Sequence, residues 1–197
     1  MNFFTHIAIS KIIYEHLKNK MKLDKRYFIY GNLKPDLSLK INQVSHTFDN
    51  YFSYVCSCGN NLMKGGASVK DFSIKLGEIC HYTCDFFCMY HLNTEIFNKS
   101  IDHFLYELKL HFKFLELTRK EKFEIKIEDN NLTKNIKSII FNMRLKYLSE
   151  IASMEKDISY AVNTATWVCE SVGLFLTNSM TFVPCNEMDS YTNLTVV

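Results

Sequence analysis

Chain breakers are scarce: two prolines and six glycines in 197 residues. That argues against a turn-rich β fold and favours long uninterrupted helices. Arginine is scarce too, at Arg26, Arg119 and Arg144 only. The other positive charges are scattered lysines and the net charge is +2. This is not the clustered basic footprint of a nucleic-acid binder. No apolar run approaches the roughly 20 residues of a membrane helix; even WVCESVGLFL is broken by Glu170. The start, MNFFTH, lacks a basic region, and Lys11 interrupts the apolar stretch after it. A secretory leader is therefore not expected. The seven cysteines are odd in number and lack disulfide-scaffold spacing. They read as reduced thiols, and the expected location is cytoplasmic, or outside the cell if a leader has been removed.

The remaining composition suits one compact domain. Hydrophobic residues make up 47% and charged residues 22%, enough for a sizeable core. Ile9, Ile12, Ile13, His16 and Leu17 recur at helical spacing, so residues 5–20 are predicted helical with Thr5 as cap. A second short helix should end at Gly31, and Pro35 should leave Asp36 on loop backbone. A third helix is expected from about His46. A fourth should open at the capping pattern Ser68-x-x-Asp71 and run to about Met89. Thr94 should cap a fifth reaching about Leu117, and residues 132–154 and 157–178 read as two more. KEKFEIKIEDNN reads as a short strand or a helix tail with a loop. The expectation is a single all-α domain of six or seven helices over residues 1–180, with an extended tail over 181–197.

The stretch GEICHYTCDFFCMYH, from Gly77 to His91, concentrates the chemistry. His81 and Asp85 are four apart and so share a helix face, where two ligands can converge on one ion. Cys80, Cys84 and Cys88 fall on a neighbouring stripe. With Leu76 and Phe87 they read as a packing seam, since reduced cysteine packs as a small hydrophobe. A single helical histidine carries little information, but these accumulate. His103 and Glu107 form a second pair at the same spacing, His91 comes six residues after Asp85, and His6, Asp36 and His46 lie upstream. Imidazole and carboxylate together are zinc-type ligands, and eight of them suit more than one ion.

In order, these pieces are His6 in THIAISKIIYEHL, Asp36 in GNLKPDL, His46 in VSHTF, HYTCD from His81 to Asp85, His91, and His103-x-x-x-Glu107. The ordered set resembles the zinc-dependent phospholipase C family, whose site is shared with the fungal-type single-strand nucleases. The resemblance implies a helical fold with two or three zinc ions between helices. Asp36, His46 and His81 would hold one ion, and His91, His103 and Glu107 a second. Asp85 would bridge to a third that His6 helps to hold. It further implies hydrolysis of a phospholipid headgroup ester or small phosphodiester, with a zinc-held hydroxide attacking phosphorus in line. Asp36 would take the proton from that water. Three carboxylates against two or three dipositive ions leave the loaded site positive, which suits a phosphate without an arginine clamp.

Three departures qualify the resemblance. The family's third ion also uses the amino group and carbonyl of an N-terminal Trp more than ten residues before the first His. Here five residues precede His6 and the sole Trp is Trp167, so that ligand has no counterpart. Choline-specific members place aromatics where this chain has Leu37 and Gln43, so no aromatic cage for a quaternary ammonium is expected. The best-known members are secreted. His16 and His111 fall outside the pattern and read as ordinary helix positions. Phe48, Tyr51, Tyr54, Phe104, Phe112, Phe114 and Trp167 read as core. The same residues admit two competing functions: a single-strand nuclease, disfavoured by the few arginines, and a non-catalytic zinc-binding protein that keeps the fold.

Overall fold

The computed structural model describes residues 1–37, 44–92, 94–97, 100–120, 125 and 135–180. The tail over 181–197, Gln43 and most of KEKFEIKIEDNN lie outside them. Among the described residues there are eight α-helices and no strand.

Helix α1 spans Phe3–Leu17 and α2 Lys25–Leu37. The cap of α1 is Asn2, not Thr5: its side-chain oxygen accepts from the Thr5 amide. Asp24 caps α2 by accepting from the amides of Arg26 and Tyr27. Helix α3 is Phe48–Met63, just after His46 rather than from it. It ends before Gly65 and Gly66, whose φ angles of 78° and 83° suit glycine. Helix α4 is Val69–Asp85, and Ser68 accepts from the Asp71 amide as the sequence predicts.

Several boundaries differ from expectation, among them the helix expected over 132–154, which ends at Ser149. Helix α2 runs through Gly31 and Pro35, so Asp36 sits on its last turn and not on a loop. Proline removes one ladder bond, but this near the helix end that bond is almost the last. Helix α4 stops at Asp85, and a separate 3-10 turn over Met89–His91 comes next. The expected fifth helix is two: α5 at Thr94–Phe97 and α6 at Ser100–Arg119. Helices α7, Ile136–Ser149, and α8, Met154–Met180, complete the set.

Helix α4 is central, packed against α1, α2, α3 and α8. Every residue from Leu76 to Cys88 is buried. Ile9, Ile13, Phe28, Ile79, Cys84 and Val168 illustrate the core that surrounds it. Trp167 and Phe114 are in that core as expected, but Phe104 and Phe112 are exposed. Helix α6 turns its other face, with Leu110 and Phe114, inward, which leaves Phe104 and Phe112 pointing away. Phe48 and Tyr51 pack at the edge of the core, and Tyr54 is partly exposed.

Candidate metal centre

All five histidines and three carboxylates singled out in the sequence meet at one end of α4. His81 and Asp85 project from its last turn and are fully buried. The first turn of α1 brings His6, whose ring stacks on His81 with centroids 4.0 Å apart. The last turn of α2 brings Asp36, and the segment before α3 brings His46. His91 ends the 3-10 turn, and α6 carries His103 and Glu107 one turn apart.

Their donor atoms fall into groups. His46 Nδ1 lies 3.1 Å from His81 Nε2, and Asp36 Oδ1 lies 3.8 Å and 3.6 Å from those two nitrogens. Donor atoms around a four-coordinate zinc stand about 3.3 Å apart, so this spacing fits an ion. His103 Nε2 lies 3.2 Å from His91 Nε2, and Glu107 Oε1 is 2.9 Å and 3.0 Å from the same two nitrogens. Asp85 lies between the groups. Its Oδ1 is 3.2 Å from His6 Nε2, while Oδ2 is 3.2 Å from His81 and 3.4 Å from His46.

Three further features fit a cation here. His81 Nδ1 donates to the Asn32 carbonyl at 2.7 Å, and His91 Nδ1 donates to the His46 carbonyl at 3.1 Å. Each bond fixes the tautomer and turns Nε2, as an acceptor, toward the neighbouring donor atoms. Asp85 Oδ2 is buried without a hydrogen-bond partner among the described residues, which an acceptor tolerates only at a cost. The amino group of Met1, itself a cation, lies 2.5 Å from Asp85 Oδ1, 2.9 Å from His91 Nε2 and 3.0 Å from Glu107 Oε1. The expectation that the family's terminal amine has no counterpart here is therefore corrected: Met1, five residues before His6, brings its amine to the donors without a tryptophan. Asn2 anchors it by donating to the Glu107 carbonyl.

The electrostatics reflect burial and crowding. Burial, with His6 alongside, pushes His81 down to about 4, and burial also lowers His6. Burial alone would raise Asp85, but His91, the Met1 amine, His81 and His6 hold it well below the carboxylate range. Burial raises Asp36. Its side chain, 25% exposed, is the most open of the eight. It lines a cleft of about 430 Å³ together with His46, His91, His103 and Glu107.

A family model for zinc-dependent phospholipase C matches residues 5–154. The chain belongs to the zinc-dependent phospholipase C family. The matched span holds all eight donors and extends to the start of α8. No curated protein and no solved structure matches the chain. Among the described residues no helix is long and apolar enough to cross a membrane.

Residues beyond the eight shape the site. Arg144 of α7 donates to the carbonyls of Phe86 and Leu92, at the two ends of the turn that carries His91. Asp157 of α8 accepts from the Met89 amide at 2.8 Å and from the Tyr106 and Tyr147 hydroxyls at 2.7 Å each. Tyr106 adjoins Glu107, so Asp157 ties the His91 turn to α6. Sequence reasoning finds only packing in this part of the chain, because a buried Asp and Arg far downstream carry no local pattern. His16 pairs with Glu170, and His111 with Thr5; neither joins the cleft.

Proposed function

We propose that this chain is a metal-dependent hydrolase of phosphoric diesters, acting on a phospholipid headgroup ester or a small phosphodiester. One observation carries the reading. Eight zinc-type donors from α1, α2, α4, α6 and the segments before α3 and α5 cluster together, five of them lining one open cleft with His6, His81 and Asp85 buried behind it, within a chain of the zinc-dependent phospholipase C family. Asp36, His46 and His81 would hold one ion, His91, His103 and Glu107 a second, and Asp85 with His6 a third. Zinc supplies Lewis acidity and a water acidified to near neutral pH.

The chain's own groups do the rest. Asp36 is the carboxylate most open to the cleft, and it accepts the proton of the attacking water. The Asn32 and His46 carbonyls hold the His81 and His91 rings in the orientation that presents Nε2. Burial of His6, His81 and Asp85 keeps bulk water from the inner side of the site. Among the described residues, nothing basic lines the cleft apart from histidine and the Met1 amine; Arg119 and Arg144 stay outside it. A small or lipid-borne diester therefore suits it better than a nucleic acid.

The test is a substrate panel on metal-free and zinc-reloaded protein: phospholipids, a chromogenic diester and single-stranded DNA. Turnover of the lipid or small diester that returns with zinc supports the reading. Turnover of DNA alone would make the protein a nuclease, and bound zinc without turnover would make it a binding protein.

A further inference from the structure

We infer that Cys88 is a metal ligand, giving the second ion a thiolate alongside His91 and Glu107. As a continuation of α4, Cys88 would join Cys80 and Cys84 on the packing seam. The helix ends at Asp85, however, and Cys88 has an extended backbone, φ −111° and ψ 130°. The break takes its backbone off the helical path, and the side chain, though still buried in the core, brings Sγ to His91 and Glu107. Cys84 Sγ donates to the Ala161 carbonyl and Cys80 neighbours Cys169, so those thiols belong to the core. The Cys88 thiol instead interacts electrostatically with the Met1 amine, Asp157, Glu107 and Asp85.

Cys88 Sγ, a His91 ring nitrogen and a Glu107 carboxylate oxygen all lie within 4.8 Å of one another. The Met1 amine, a cation between Asp85, His91 and Glu107, marks the same spot as one that attracts positive charge. His103 faces His91 and Glu107 as well. With sulfur added, the second ion's ligands include Cys88, His91 and Glu107, a mixed sulfur, nitrogen and oxygen set of the kind zinc accepts. On binding, the Cys88 S–H bond breaks, an S–metal bond forms and the proton leaves to solvent.

The thiolate also changes the charge of the site. Three carboxylates leave a two-zinc site with one positive charge, and the thiolate cancels it. Attraction of an anionic diester then depends on the third ion, held by Asp85 and His6. This inference rests on the metal-centre reading above.

Cobalt tests it, because cobalt adopts zinc's geometry and, unlike zinc, absorbs light. Metal-free protein is titrated with Co²⁺ and its spectrum recorded. The expected result is a thiolate-to-cobalt band in the near ultraviolet. Cys88→Ser should abolish that band and weaken the second cobalt by at least about tenfold, on the scale of losses seen even for outer-shell partners. Cys84→Ser should keep the band. Cobalt bound by wild-type protein without a thiolate band overturns the inference and leaves the metal centre standing. A folded protein that binds no cobalt overturns both. The wild-type spectrum decides even if the Cys88 variant fails to fold.

Discussion

Gly31 of α2 meets the backbone of Ile74 in α4 so closely that a Cβ on Gly31 would stand 2.1 Å from the Ile74 carbonyl oxygen. Gly77 repeats the contact one turn later, where a Cβ would stand 2.3 Å from the Phe28 carbonyl oxygen. The two helices touch backbone to backbone. This contact brings the Asn32 carbonyl to His81 and sets Asp36 over the cleft.

Gly31→Ala should therefore destabilise the protein, by about 1–3 kcal/mol or more, because backbone atoms cannot swing aside as side chains can. The intrinsic helix preference of alanine would offset only about 0.5–1 kcal/mol of this. Urea unfolding measures the difference. An unchanged midpoint would show that the helices separate at no cost.

Much of the site is legible in the sequence, for a physical reason. Two side chains on one helix can converge on an ion only when three or four residues apart, so His81 with Asp85 and His103 with Glu107 stand out as candidates. Asp36 is harder to place. Proline's bias is local, whereas the Gly31–Ile74 contact that accompanies α2 past Pro35 is tertiary. Cys88 reads as part of the packing seam because neither glycine nor proline marks the end of α4. Arg144 and Asp157, from distant helices, hold the turn beyond that end. The apolar outer face of α6 likewise shows the helical period without showing which side is inside.

Asp157→Asn should cost about 1–3 kcal/mol, since a buried carboxylate with three donors becomes an amide that can satisfy fewer of them. It should also loosen the His91 turn. Zinc affinity at the His91 group should fall while the Asp36 group keeps its ion. Calorimetric zinc titration resolves the two. Equal loss at both groups would show a general effect of lost stability.

The metal-free protein should lose stability as pH falls from about 6.5 to about 4. His81 has its folded value lowered to about 4 from an ordinary 6.5, and His6 is lowered too. In that window the unfolded chain takes up protons that the folded chain refuses, so unfolding is favoured. Each such proton contributes about 1.4 kcal/mol per pH unit. Asp36, raised by burial, works weakly in the opposite sense. Melting temperatures across this range, with chelator present, give the slope. A flat profile would contradict the burial of these rings as neutral bases.

Asp36→Asn should leave the fold intact, because the side chain is partly exposed at the rim of the cleft. Activity on a phosphodiester should fall about 10²–10⁴-fold, the usual contribution of a positioned proton acceptor. Steady-state kinetics on zinc-saturated variant and wild type provide the comparison. Unchanged kcat with zinc retained would remove Asp36 from the chemistry.

Zinc content per folded chain distinguishes a cleft that holds several ions from one that holds a single ion. Protein saturated with zinc, freed of excess by gel filtration and analysed by plasma mass spectrometry should carry two or three zinc ions per chain. Fewer than two per folded chain would contradict the account.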